Sequence, residues 1–339
     1  MKNPKHSSAS YLLSTVFAIF LISSGTAANA KELRLSAAPP EGSPWGKVTL
    51  KFIDKVAELS DGKLTIKPFL GSKLGGEQDV VKQIGRGRID MGVMSNTAVS
   101  LLVPEFSLLA SPYAFDSPEE FDCVADKHLL ATFSDDFDQA GIRTLSWMEV
   151  GYQVIFSKDI DIRTPDDLSG KKIRAAPSPT DSQFIIATGA TAVPLSPKDT
   201  VPALKTGQVG AATMVSVFGM ATGYPKVAPK IILTRHQHQV GGVIIAKKTW
   251  EQLSAEEQGW LNEAAPIFLE LRQAIRGAEG ALLKKSAGEG ATVVELTDDE
   301  LAAWKALVPE VQKTILDKMG GKASEKWDAI QSARAACQG

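Results

Sequence analysis

Apolar and polar positions alternate in ways that divide the chain into strand–helix units. Leu33 to Ala38 predicts a first strand, followed by a loop, "PPEGSPWG". From Trp45 to Leu59 the residues Val48, Phe52, Val56 and Leu59 recur at helical spacing and give a helix one apolar face. Asp61-Gly62 marks a turn, and "KLTIKPF" has the period of two expected of a strand. A loop, a helix and another strand follow in "GSKLGGEQDVVKQIGRGRIDMGVM", and such alternation predicts a layered α/β lobe.

The second half reuses the plan. "IGRGRIDMGVM" (84–94) and "LKTGQVGAATM" (204–214) each end a helix on an apolar residue, reach Gly87 or Gly207 three residues later and enter a strand. Glycine suits that place because it takes the left-handed conformation after a helix. One such unit in each half predicts two related lobes. From Ser254, which with Glu257 makes a capping box, a helix continues to Lys285. At 1.5 Å per residue it is roughly 45–50 Å long, longer than one lobe is wide, with a kink expected at Pro266. "ATVVEL" predicts a strand, and Thr297 with Glu300 caps a further helix.

The first thirty residues change the picture of where the protein works. Lys2 and Lys5 precede a largely apolar run from Tyr11 to Ile22, and Ala28-Asn29-Ala30 is a small-x-small cleavage site. The run is too short for a spanning helix, so a signal peptide over 1–30, cut after Ala30, is expected, with a periplasmic product not inserted in the membrane. The whole chain carries 37 Lys+Arg and 39 Asp+Glu, a formal charge of −2. Loss of the two lysines makes it more negative and argues against nucleic acid as a partner. Cys123 and Cys337 are too few for a disulfide scaffold; they form one bridge or remain separate thiols.

Catalytic chemistry finds little support. "GRGRID" (85–90) lacks the third glycine of a dinucleotide loop and precedes a strand instead of following one. His236 and His238 fall on one face of an extended "TRHQH", with no third metal ligand in view, and read as surface or hinge residues. No cofactor or metal is expected.

Arg174 interrupts a small apolar strand, "KKIRAAP". A guanidinium keeps its proton, so it must reach solvent, pair with an internal carboxylate or grip an arriving anion. At the carboxyl end of an α/β strand, the last is a bidentate clamp on a ligand carboxylate.

From Ala38 to about Ala265 the chain resembles the solute-binding proteins of tripartite ATP-independent periplasmic (TRAP) transporters, the DctP family. The resemblance is carried by "GSKLGGEQDVVKQIGRGRIDMGV" (71–93), "PEFSLLASPYAFDSPEE" (104–120), "DLSGKKIRAAP" (167–177), "ALKTGQV" (203–209) and "WEQLSAEEQ" (250–258). It implies a two-lobed α/β periplasmic binding fold with crossing hinge strands and a long helix spanning both lobes. Lobe I would take 31–148, completed by about 242–339 with the long helix 254–285; lobe II would take 149–241. It also implies that Arg174 holds a substrate carboxylate and that membrane permease subunits are the partners.

Two departures shape the expected ligand. Where family members often carry a second arginine, "MEVGYQV" has Gln153; where they carry "DGxxN", this chain has Gly210 and Met214. The expected ligand is therefore a monocarboxylate or 2-oxo acid with an apolar or aromatic remainder, walled by Trp147, Tyr152, Met214 and Phe218. Those side chains equally suit a core. Glu77 faces ligand hydroxyls or simply favours a helix N-terminus. Asn96 and Ser178 are further ligand candidates, and Trp45 closes over the substrate or anchors the core. Asp181 orients Arg174 or, preferably, caps a helix. A C4-dicarboxylate ligand, a receptor for a sensor kinase and an exported enzyme are the alternatives.

Overall fold

The computed structural model describes Met1 and residues 31–338; the expected signal segment and its cut after Ala30 lie outside the described residues, Met1 apart. Nine strands share one sheet: β1 (Lys31–Ala37), β2 (Leu64–Phe69), β3 (Met91–Ser95), β4 (Ile142–Ser157), β5 (Lys172–Ala175), β6 (Thr191–Pro194), β7 (Ala211–Val215), β8 (Lys230–Ala246) and β9 (Thr292–Val294). Their order is β2-β1-β3-β8-β4-β7-β5-β6, with β9 paired to β8. The short strands β1–β3 and β5–β7 lie to either side of the long antiparallel pair β4 and β8. That pair is continuous between the two sides, which gives the fold its two lobes and its crossing strands.

The local signals act as read. Helix Pro44–Leu59 buries Val48, Phe52 and Val56, its apolar stripe. Gly87 and Gly207 have φ of 67° and 72°, the left-handed turn that lets each helix end and the next strand begin. Both predicted capping boxes form, at Ser254/Glu257 and Thr297/Glu300.

The long helix is not continuous. Helix Ala255–Ala264 passes into a 3-10 segment, Ala265–Glu270, before helix Leu271–Gly288 resumes. Pro266 accounts for the break, because it has no N–H to donate and its ring crowds the preceding turn. The composite still braces both sides of the sheet. Leu261, Phe268 and Leu271 pack with Phe52 and Leu35, while Leu282 and Leu283 reach the cluster of Val154, Phe156 and Tyr224.

Cys123 and Cys337 are bridged, joining helix Pro118–Val124 to the C-terminal helix Ala323–Cys337. Arg334 adds ion pairs to Glu120 and Asp116 at the same junction. The histidines are not at the surface: His236 and His238 are buried on β8, within the crossing pair. His236 stacks on Phe184 and His238 on Tyr152.

Candidate functional site

Arg174 lies on β5, opposite Ala212 of β7 and Val193 of β6. The small Ala212 leaves room beside it, and the side chain is only 2% exposed. Its Nε and one terminal nitrogen donate to Leu195 O at 2.9 and 2.7 Å; the other terminal nitrogen donates to Thr213 O at 2.5 Å. A guanidinium has five N–H donors, so each terminal nitrogen keeps one unspent. Among the described residues no carboxylate oxygen lies within ion-pair distance of it; burial lowers its pKa, and Tyr224 and the buried Asp181 nearby partly oppose that through their charge. It nevertheless stays charged in a protein. The result is a buried cation whose charge the chain offsets only in part, through Asp181 and without a direct bond.

That cation borders a cleft that is partly open to solvent. Trp45, Glu77, Gln153, Met214 and Phe218 line it with Arg174. They come from both sides of the sheet: Trp45 and Glu77 from helices beside β1–β3, Met214 from β7, Phe218 from helix Ser216–Ala221, Gln153 from β4. Trp45 and Phe218 meet across the cleft with ring centroids 6.1 Å apart. Trp45 Nε1 donates to Glu149 O at 3.1 Å, tying the first helix to the crossing strand.

Glu77 opens helix Glu77–Gly85 and is 8% exposed. Its carboxylate accepts from Ser95 N at 2.6 Å and Ser95 Oγ at 2.7 Å. Burial pushes its pKa up, and the two bonds from Ser95 oppose the rise. It holds the helix against the end of β3 and also borders the cleft.

The structure places the other expected residues away from this lining. Strand alternation turns Met148 to the cleft, and Trp147 packs on the opposite side against Phe121 and under Arg272. Tyr152 likewise lies behind β4, stacked on His238. Asn96 is fully buried and donates to Phe106 O at 3.0 Å, while its neighbours Ser95 and Thr97 border the cleft. Ser178 caps helix Pro179–Ala187, and its Oγ accepts from Asp181 N at 3.3 Å. Asp181 is not the capping residue and makes no direct bond to Arg174. Its carboxylate accepts from Ala176 N and from Thr213 Oγ1, the latter at 2.7 Å, so it fixes the segments that carry Arg174's surroundings.

Gln239, Met148, Val150 and Pro197 line the cleft without having been singled out from sequence. The alternation of "HQHQ" holds a signal for Gln239: the two histidines occupy one face and the two glutamines the other. Only the pairing of β8 with β4, which sets Gln237 opposite Gln153, shows which face the cleft uses.

Glu149 marks the reverse side of the crossing strands. It is 1% exposed, with Oε1 2.6 Å from His238 Nε2 and Oε2 2.8 Å from an Arg276 nitrogen. Burial alone raises its pKa, but His238 and Arg276 together outweigh that and hold it below the ordinary carboxylate value. Arg276 also makes a forked pair with Asp122 at 2.8 Å. This ion-pair network ties the long helix to β4 and β8.

Known proteins share this design. A "Solute-binding protein" of Chromohalobacter salexigens is 28% identical over 244 residues, 72% of this chain and 73% of its own. A TRAP periplasmic solute-binding protein from Sulfitobacter sp. NAS-14.1, solved with β-D-galacturonate, superposes with a TM-score of 0.83 at 24% identity, covering 90% of this chain and 100% of that one. Another, from Ralstonia eutropha H16 with (S)-2-acetolactate, has a TM-score of 0.82 at 23% identity over 91% and 98% of the two chains. The family "Bacterial extracellular solute-binding protein, family 7", DctP, matches residues 35–319, and with this two-lobed fold the chain belongs to that family, the periplasmic solute-binding proteins of TRAP transporters.

Proposed function

We propose that this protein captures a hydroxylated monocarboxylate of the sugar-acid type in the periplasm, binding its carboxylate at Arg174, and delivers it to a TRAP permease. The observation that carries the reading is the buried guanidinium with one unspent donor on each terminal nitrogen and no directly paired carboxylate. A ligand carboxylate supplies the missing charge in a site shielded from water, where charge-assisted bonds are strongest.

The rest of the cleft refines the ligand. Gln153 offers a neutral amide where a second arginine would favour a second carboxylate, so a monocarboxylate fits better than a C4-dicarboxylate. The apolar side chains Trp45, Met148, Met214 and Phe218 suit one face of a carbon skeleton. Glu77 and Gln153 suit hydroxyls. Galacturonate and 2-acetolactate, held by the two relatives described above, each combine one carboxylate with hydroxylation. The reading proposed here departs from the apolar acid or plain 2-oxo acid expected from sequence.

On this reading lobe I is 31–148 completed by about 242–339 and lobe II is 149–241, with β9 reaching across to pair with β8 at Lys230–Ile232. The ligand binds more tightly when the lobes are closed, so it shifts an existing open–closed equilibrium toward the form the permease recognises. A thermal-shift screen tests the reading with D-galacturonate, D-galactonate, phenylacetate and succinate. Stabilisation by a sugar acid exceeding that by the other two classes is expected. Succinate or phenylacetate stabilising most would overturn it.

A further inference from the structure

Three buried glutamines meet beside the cleft. Gln153 on β4 and Gln239 on β8 line it; Gln237 does not. They are 3%, 2% and 1% exposed respectively. Gln237 Oε1 accepts from both lining residues, from Gln153 Nε2 at 2.9 Å and Gln239 Nε2 at 3.1 Å. Gln153 Oε1 and Gln237 Nε2 are left buried with no partner in the protein. Leaving amide atoms orphaned inside a fold is costly, and Gln153 Oε1, on a residue that lines the cleft, points to a group supplied from outside.

The shared oxygen couples the amides. Because one Gln237 oxygen takes an N–H from each neighbour, both lining amides must spend a donor on it. Neither can turn over to present its N–H groups to the cleft unless Gln237 turns as well. In the arrangement present, the Oε1 atoms of the two lining glutamines are the ends not spent on Gln237, in the cleft that Arg174 also lines, and acceptors select ligand groups that donate.

We propose that Gln237, though it does not line the cleft, is a specificity-determining positioning residue that makes Gln153 and Gln239 act together as acceptors for hydroxyl groups adjacent to the bound carboxylate. This rests on the reading that Arg174 holds that carboxylate. A site built to accept from a hydroxyl rejects the analogue lacking it, because its own polar atoms are then left unpaired. The protein therefore discriminates a 2-hydroxy acid from the 2-oxo acid of the same skeleton, which has no donor at that carbon.

The test is calorimetric titration of the full mature chain with 2-hydroxy-3-methylbutanoate, 3-methyl-2-oxobutanoate and D-galactonate, a sugar acid with a hydroxyl at the carbon next to its carboxylate. Wild-type protein is expected to favour the hydroxy acid over the oxo acid by about tenfold or more, the usual effect of one buried unsatisfied group. Gln237→Met frees the two amides to turn, and the ratio falls below about threefold while both acids still bind. Gln237→Glu keeps an acceptor that both neighbours can serve, so the preference survives even if affinity drops. Should Gln237→Met not fold, Gln239→Leu reads the same ratio with one acceptor removed, and a reduced preference is expected.

Equal or tighter binding of the oxo acid by wild type, or an unchanged ratio in folded Gln237→Met, overturns the proposal while leaving the carboxylate site intact. Arg174→Met separates the two levels: if it binds these acids as wild type does, the underlying reading fails. Failure of wild type to bind any of the three acids also defeats that reading, and the proposal with it.

Discussion

Arg174→Met makes opposite demands on the empty and the loaded protein. In the empty state the change removes a buried cation with no directly paired carboxylate, whose desolvation, only partly offset by the charge of Asp181, opposes folding by several kcal/mol. It also orphans the carbonyls of Leu195 and Thr213, at about 1–3 kcal/mol each. These terms nearly offset, so the unliganded variant should unfold within about 2 kcal/mol of wild type. In the loaded state there is no offset, because the ligand carboxylate would be buried without its counter-charge. Breaking such a pair costs about 3–5 kcal/mol, or roughly two to three and a half orders of magnitude in affinity. Calorimetry with D-galacturonate measures the affinity, and thermal unfolding with and without ligand measures the linkage. At a concentration 100 times the wild-type Kd, ligand stabilises wild type by about 2.7 kcal/mol and the variant by less than about 0.3 kcal/mol. Arg174→Lys should fall between, since one ammonium cannot serve both carbonyls and a carboxylate in the guanidinium's geometry. Affinity of the methionine variant within tenfold of wild type would refute the reasoning.

Two further outcomes follow from the frame around the cleft. The Cys123–Cys337 bridge closes a loop with a sequence separation of 214, for which the chain-entropy relation sets a contribution of up to about 5 kcal/mol. Cys337→Ser is expected to lose about 2–5 kcal/mol of unfolding free energy in urea while ligand affinity stays constant, and an unchanged denaturation midpoint would contradict this. Glu149 has a folded-state pKa held below 4.5, so as pH falls the unfolded chain takes up its proton first. Its stabilising contribution is present above that value and is lost as pH drops through it toward the lower folded one. Glu149→Gln should lower the melting temperature at neutral pH and make its acid-side decline shallower; a parallel decline in both proteins would argue against the ion-pair account.

Local patterns carried the fold a long way. The stripe of Val48, Phe52 and Val56, the glycines at 87 and 207 and the two capping boxes act over a few residues, so a short window contains all the physics they need. Arg174 belongs with them, because a permanent charge inside an apolar strand requires an explanation wherever the strand lies. Trp147, Asn96 and Ser178 illustrate the limit. Each lies beside a cleft-lining residue in sequence or near Arg174, but one step along a strand reverses a side chain and one helix cap diverts a hydroxyl.

The sequence by itself determined the strand–helix rhythm, the kink at Pro266 and the presence of one charge that demands a partner. Tertiary structure decided the rest: that Cys123 meets Cys337, that the two histidines stand behind the crossing strands, and that Gln237 turns its oxygen to two neighbours from β4 and β8. These are pairings between distant segments. A β-strand states which side chains share a face, but only its register against another strand decides which face meets the ligand and what stands opposite.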